Sequence, residues 1–214
     1  MLDFELESKE KEYFKFILIS LKQECESIIK GLNDVNVNKE AVDLFFYHFF
    51  KPIFKYPISL LPDISLNFEL PDAFIHVEIK TALIDNPADY KGKINIGINQ
   101  TSYGVNKIFS PNLPQYYHTS PEIERPCLTY IIQIVHEHAK PNIKALKLVC
   151  IPNGQLYSHY GKSIFKSGKG GYAKAKDFRY NYSAEPYFKL FRQLADKEKM
   201  FRIELIYLAK GLNA

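Results

Sequence analysis

Leu60 to Leu83 reads LLPDISLNFELPDAFIHVEIKTAL, and the alternation inside it decides the fold class. Ile64, Leu66 and Phe68 alternate with Ser65, Asn67 and Glu69, the two-residue period of a strand with one buried face. Leu70-Pro71-Asp72 interrupts the pattern and strand-like composition resumes from Ala73 to Leu83, which predicts a β-hairpin over about 62–83. Side chains two apart share a face of a strand, so His76, Glu78 and Lys80 emerge together while Ile75, Val77 and Ile79 turn to the core. An acid and an ammonium are thereby aimed at one spot.

Closure through Leu70-Pro71-Asp72 sets opposite each other the positions whose numbers sum to about 141, which pairs Asp63 with Glu78 at a cross-strand distance of roughly 5 Å. Two carboxylates that close repel unless a cation lies between them, and Mg²⁺, a hard ion that takes carboxylate and water oxygens, suits the arrangement. Such an ion polarises a phosphodiester and acidifies a bound water, and Lys80 is placed to orient that water or to offset charge on the phosphorus oxygens. Asp72 also follows a proline, but it precedes Glu78 by six positions on one strand, roughly 20 Å at about 3.3 Å per residue. It therefore belongs to the turn. His76 reads as an ordinary strand residue. His136 and His138, beside Glu137, lack a third ligand at matching spacing and are read the same way.

Upstream of the hairpin, Phe14, Ile17, Leu18, Leu21, Cys25 and Ile28 repeat at three and four, which predicts a helix from Leu2 to Leu32 with Gly31 as its stop. A second helix runs from Lys39 to about Lys51, capped by Asn38 and ended by Pro52. A helical segment of about 1–52 thus precedes the first strand. Downstream come an apolar stretch around Ile94 to Ile98 and a Pro-rich connection from Ser110 to Pro126 without a clear period. Leu128 to Val135 and Ile143 to Ile151 are dense enough in Ile, Val and Leu for central strands. Asn153-Gly154 is a hairpin turn into Leu156 to Tyr160, Gly161 to Gly171 an exposed mobile loop, Ala184 to Met200 a helix and Phe201 to Leu208 a last strand. This order makes an α/β (α+β) protein with a mixed central sheet flanked by helices, and one domain is expected over residues 1–214.

With 46% hydrophobic residues the chain can bury a full core. No apolar run approaches the roughly 20 residues that span a bilayer, and the start, MLDFELESKEKEYF, is acidic and mixed, unlike a targeting peptide, so a cytoplasmic location is expected. Cys25, Cys127 and Cys150 are far apart and odd in number, which indicates reduced thiols and neither a disulfide framework nor a zinc site. The net charge of +4 is unevenly spread. Lys140, Lys144, Lys147, Lys162, Lys166, Lys169, Lys174, Lys176 and Arg179 face a single acid, Asp177, so the rest of the chain is net acidic. From Tyr160 to Tyr182 the basic residues interleave with aromatics, a mixture suited to nucleic acid. Lys162, Lys166, Lys169, Lys174, Lys176 and Arg179 are its candidate DNA contacts.

Glu-x-Lys alone arises by chance in any charged chain. Pro62-Asp63 fourteen residues before Glu78, with Lys80 two beyond and a strand on each side, resembles the PD-(D/E)xK motif of type II restriction endonucleases, some repair nucleases and junction resolvases. The resemblance rests on Leu60 to Leu83. It implies a restriction-endonuclease-like fold with catalytic residues Asp63, Glu78 and Lys80. It further implies Mg²⁺ held by Asp63, Glu78 and the main-chain carbonyl of Ile79, and cleavage of DNA leaving 5′-phosphates. An auxiliary acid at Glu40 or Asp43 and DNA contacts at Gln100 and Tyr103 follow from the same resemblance. The specific expectation is a sequence-specific type II restriction endonuclease acting on double-stranded DNA as a homodimer, with a cognate DNA methyltransferase as companion activity. Its rivals are a repair or junction-resolving nuclease with the same motif and a DNA-binding protein without catalysis.

Overall fold

The computed structural model describes residues 2–34, 39–55, 66–96, 113, 115–120, 123–138, 142–153, 165–167, 178–181 and 201–212. Helices α1 (Leu2–Gln23), α2 (Cys25–Asp34) and α3 (Lys39–Phe54) precede the first strand. The strands are β1 (Leu66–Glu69), β2 (Phe74–Leu83), β3 (Lys93–Ile96), β4 (Tyr116–Ser120), β5 (Ile123–His136), β6 (Ile143–Ile151), β7 (Phe165–Ser167), β8 (Phe178–Asn181) and β9 (Ile203–Leu208). The main sheet runs β1-β2-β5-β6-β9, with β4 paired to the start of β5, and a second sheet runs β3-β8-β7. Among the described strands only β2 and β5 pair in parallel; the other pairs are antiparallel, so the expected mixed sheet is present.

The helices depart from expectation in three places. The single helix expected to Leu32 is two, turned at Glu24, where the amide still reaches the Ser20 carbonyl at 3.2 Å. Gly31 does not stop α2, which continues to Asp34; a Cβ there would lie 2.5 Å from a ring carbon of Phe45, so the glycine allows α2 and α3 to approach closely. Nor does Pro52 end α3. The helix runs two residues past it to Phe54, whose ring is buried 4.8 Å from that of Phe68, and Lys55 at φ 64° then closes it. Burial of Phe54 offsets the hydrogen bond that the proline removes.

Three corrections concern strands. The Pro-rich connection holds β4 and the start of β5: Pro126 sits within β5 opposite Tyr116, where pairing with β4 prolongs the strand beyond its apolar run. β7 lies inside the stretch expected to be a mobile loop, and β8 was not foreseen as a strand; each is short and is held by pairing, β7 with β8 and β8 also with β3, which is distant in sequence. The expected strand Leu156 to Tyr160 and helix Ala184 to Met200 fall outside the described residues.

The main sheet has two dissimilar faces. On one, Leu66, Phe68, Ile75, Val77, Ile79, Tyr130, Ile132, Leu148 and Cys150 join the helices in the larger core. On the other, Ile131, Val149 and Ile151 pack with Ile94 of β3 and Tyr180 of β8, so the second sheet covers part of this face. Among the described residues no helix is long and apolar enough to cross a membrane.

Candidate active site and nucleic-acid interface

β2 lies inside the main sheet between β1 and β5, and its residues alternate between the two faces of the sheet. Over the described part of the hairpin, from Leu66, the expected alternation results: Leu66, Phe68, Ile75, Val77 and Ile79 enter the helical core, and His76, Glu78 and Lys80 share the opposite face. Lys80 Nζ donates a hydrogen bond to Glu78 Oε1 at 2.7 Å, and the other carboxylate oxygen is 3.9 Å from His76 Nε2. Access is graded, because the His76 side chain keeps 2% of its exposure, Glu78 10% and Lys80 26%. Burial drives the His76 imidazole down to about 4, against the upward pull of Glu78, so it is neutral at pH 7 and adds no positive charge to the pair.

The hairpin register differs from the expected one. Leu66 pairs with Val77, Asn67 with His76, Phe68 with Ile75 and Glu69 with Phe74, so partners sum to 143 and not to 141. Ala73 closes the turn by accepting the Leu70 amide at 2.8 Å, a turn whose centre the sequence pattern misjudged by one residue. A shift of two preserves the faces: Asn67 and Glu69, the odd positions of β1, stand opposite His76 and Phe74 on the Glu78 side. Asp63 lies outside the described residues, and so does the expected Asp63–Glu78 pair.

Asp72 is in the turn, as expected, and its carboxylate is occupied on the helical side by Lys9 and by Tyr13 Oη at 2.7 Å. Burial pushes its carboxyl upward, but the Lys9 and Tyr13 hydrogen bonds outweigh this and hold it below the usual range. Glu40 is exposed on the first turn of α3, and Asp43 is one turn further; this helix packs through Phe50 and Phe54 on Phe68, on the face away from Glu78. His136 is the last residue of β5, as its reading as a strand residue has it, whereas His138 lies two residues beyond the strand and is exposed. Among the described residues no three His, Cys, Asp or Glu side chains gather into a metal-binding group.

Of the predicted DNA contacts, Gln100, Tyr103, Lys162, Lys169, Lys174 and Lys176 lie outside the described residues. Lys166 and Arg179 are direct cross-strand partners, and Arg179 pairs in turn with Asn95, so the three occupy one row of the second sheet. That row alternates with Phe165, Tyr180 and Ile94, of which Tyr180 and Ile94 are buried against the main sheet. Strands, not a loop, therefore carry these two basic residues.

Two residues beside the site were missed. Gln133 pairs with Lys80 across β2 and β5, and Lys147 pairs with Gln133 across β5 and β6. Both are buried. The signal was present as a lone amide in LTYIIQIV and a lone ammonium in ALKLVCI, polar interruptions of otherwise apolar strands.

Comparison with known proteins places this geometry in context. Residues 56–140 match the family model described as "Type II restriction enzyme MwoI, N-terminal domain", and residues 143–208 match "Type II restriction enzyme MwoI, central domain". Between them the two matches take in more than two thirds of the chain. No curated protein matches. Among solved structures, the restriction endonuclease BglI bound to its DNA recognition sequence is similar with a TM-score of 0.59 at 15% identity, over 95% of this chain and 93% of that one. The tetrameric restriction endonuclease SfiI bound to cognate DNA is similar with a TM-score of 0.57 at 16% identity, over 85% of this chain and 80% of that one. At such identities the two structures establish the fold, which is restriction-endonuclease-like.

Proposed function

We propose, on the premise that this chain belongs to the MwoI family of type II restriction enzymes and is a type II restriction endonuclease, that it cuts double-stranded DNA at a fixed sequence from a centre formed by Asp63, Glu78 and Lys80. The observation that carries the residue assignment is the Glu78–Lys80 pair, hydrogen-bonded at 2.7 Å on a central strand and turned away from the helical core. A structural ion pair on a sheet edge would stand in water. This one is set among buried strand residues, with only the lysine part exposed.

The chemistry of the donor set fits Mg²⁺. Glu78 offers carboxylate oxygens on a face that also displays a neutral imidazole, and Asp63 shares the odd parity by which Asn67 and Glu69 reach that face. Asp63, Glu78 and the Ile79 carbonyl would hold the ion, which when bound supplies Lewis-acid activation of the phosphodiester and of a water. Glu78 orients Lys80 through their hydrogen bond. The Lys80 ammonium, the more exposed member, holds the attacking water or balances negative charge on the phosphoryl oxygens as it builds. His76, uncharged, does not itself neutralise the carboxylate. Cleavage on this scheme leaves 5′-phosphates. Glu40 is retained as an auxiliary acid only in the sense that its helix precedes the motif strands.

DNA contact is assigned to Lys162, Lys166, Lys169, Lys174, Lys176 and Arg179, with Gln100 and Tyr103, and is supported by the cross-strand row that includes Lys166 and Arg179. Two copies related by a two-fold axis would let one small subunit cut both strands of a palindromic site, with a cognate methyltransferase protecting the host sequence. Incubation of phage DNA with the protein and Mg²⁺ tests the reading. Discrete bands with a common end sequence and 5′-phosphates are expected, and none from Asp63→Ala, Glu78→Ala or Lys80→Ala. Undiminished cutting by all three variants would remove the residue assignment, and a smear without preferred ends would remove sequence specificity.

A further inference from the structure

Lys80 has a polar neighbour on the adjoining strand. Gln133 of β5 is its cross-strand partner and shares a face with Ile131, which packs with Ile94 of β3, so the Gln133 side chain leaves the main sheet on the side that carries Glu78. Gln133 keeps 1% of its exposure, and an amide enclosed to that degree is retained at a cost that hydrogen bonds must offset.

Those bonds reach the segment that joins the two sheets. Gln133 Nε2 donates to the main-chain carbonyl of Asp89 at 3.2 Å and to that of Lys93 at 3.5 Å. Two acceptors converging on one atom call for the two hydrogens of an amide nitrogen, and a carboxylate of the same shape would set oxygen against oxygen. Asp89 ends the 3-10 turn Pro87–Asp89 and Lys93 begins β3. The segment is stiffened from within: Asn86 Nδ2 donates to Asp89 Oδ2 at 2.6 Å, Tyr90 Oη to the Ile84 carbonyl at 2.9 Å and the Lys91 amide to the Pro87 carbonyl at 2.8 Å. At its start the Ile84 amide donates to the His136 carbonyl at 2.9 Å, so the excursion from β2 is tied to β5 at both ends.

The alignment of the two sheets rides on this tie. Ile94 and Tyr180 seat the second sheet on Ile131, Val149 and Ile151 through apolar contact, which has no direction and permits small lateral shifts. Hydrogen bonds to two particular carbonyls restrict those shifts. Lys93 stands two residues before Asn95, the head of the row that continues through Arg179 to Lys166. One side chain is thus in register with the lysine of the cleavage pair and also holds the strand on which the basic row is built.

We propose that Gln133 is a positioning residue that sets the Glu78–Lys80 pair against the basic row, and thereby selects which phosphodiester bond of a bound duplex is cut. This rests on the reading of that pair as the cleavage centre and of Lys166 and Arg179 as DNA contacts. A duplex held by the row offers its bonds to the pair at intervals of roughly 3.4 Å along a strand, so a shift of the sheets by a fraction of that interval takes the scissile group out of line.

Gln133→Met, which keeps the length of the side chain and removes the donor, tests the proposal. An end-labelled duplex carrying the sequence found at the cut ends is incubated with saturating protein and Mg²⁺, and the products are read at single-nucleotide resolution. Binding without divalent metal and thermal unfolding are measured alongside. Single-turnover cutting per folded molecule should fall by about a hundredfold, the loss that a misplacement of about 1 Å brings, with new cuts at bonds next to the parental one and a dissociation constant close to the parent's. A merely structural amide would lower Tm and the folded fraction but leave the cut position alone. Cutting confined to the parental bond, at whatever rate, therefore overturns the proposal. Where Gln133→Met is unfolded or too slow to map, Gln133→Asn, which retains the amide but shortens its reach by one methylene, decides by the same criterion. The readings fail apart. Full cutting by Glu78→Ala removes the cleavage centre, and unweakened binding in the double variant Lys166→Ala, Arg179→Ala removes the DNA row. With both of those upheld, a single parental cut position in the Gln133 variants removes the positioning role alone.

Discussion

Two clusters of carboxylate and cation lie on opposite faces of the same sheet. Behind β5 and β6, on the helical side, Arg202 reaches Glu10 at 2.8 Å and Glu7 at 3.4 Å, and its Nη1 meets the Cys150 sulfur at 3.2 Å. Glu10 also accepts the Asn153 amide at 2.7 Å, while its own carbonyl accepts the Tyr130 hydroxyl at 2.8 Å. On the other face of the sheet, on the neighbouring strand β2, lies the Glu78–Lys80 pair. The ingredients are alike and the access is not: the Arg202 side chain is fully enclosed, and Lys80 keeps 26% of its exposure. Sealed charge serves the fold by joining α1 to the segment before β9, whereas charge left at an opening can meet a substrate. Burial pushes the Glu10 carboxyl upward despite Arg202 and the Asn153 amide, a sign that the enclosed acids are costly to keep ionised.

The contrast breaks most sharply at Glu78. Glu78→Gln should lower cleavage by at least about a thousandfold, the loss typical of a removed electrostatic contact at a reacting centre. Thermal unfolding should stay close to that of the parent, because the amide keeps the shape of the side chain. Gel assay of plasmid cutting together with a melting curve checks both halves, and a melting loss comparable to the activity loss would place Glu78 with the structural acids.

Arg202→Met should show the opposite signature. Removal of the guanidinium leaves Glu7 and Glu10 enclosed without their cation and is expected to cost about 3–5 kcal/mol in urea unfolding, with cleavage per folded molecule retained at low temperature. Adding Glu7→Gln and Glu10→Gln should restore much of that stability, since apolar and neutral replacements of a whole buried network are far better tolerated than a broken one. No recovery in the triple variant would mean that the cluster acts through shape and not through charge.

Asp72 supplies the smallest and sharpest control, a carboxylate that follows a proline in sequence but sits in a surface pair with Lys9. Its folded carboxyl is held below the unfolded value, so the stability it contributes is complete above the unfolded pKa and is lost as pH falls through the folded one. With the Asp72 side chain 46% exposed, the pair is worth under about 1 kcal/mol. Asp72→Asn should leave cutting unchanged and trim stability slightly at pH 7, by an amount that shrinks as pH falls below the unfolded carboxyl's range, as read by urea midpoints across acid pH. Loss of cutting would reinstate Asp72 as the motif acid.

The pattern of residues 60–83 was enough to place Glu78 and Lys80 together, with Ile75, Val77 and Ile79 turned to the core, because side-chain direction along a strand follows from covalent geometry and needs no partner. The apolar runs of β5 and β6 were legible for the same reason. Hairpin register was not, since it depends on the atom at which the turn closes; the parallel pairing of β2 with β5 was not, since 39 residues lie between the two strands. The row from Lys80 through Gln133 to Lys147 exists only once β2, β5 and β6 are in register, and the bond from Arg202 to Glu7 spans 195 residues. Local periodicity thus settles which way each side chain points, while long-range burial settles what it meets there, because contact energies between distant segments leave no trace in the neighbourhood of either one.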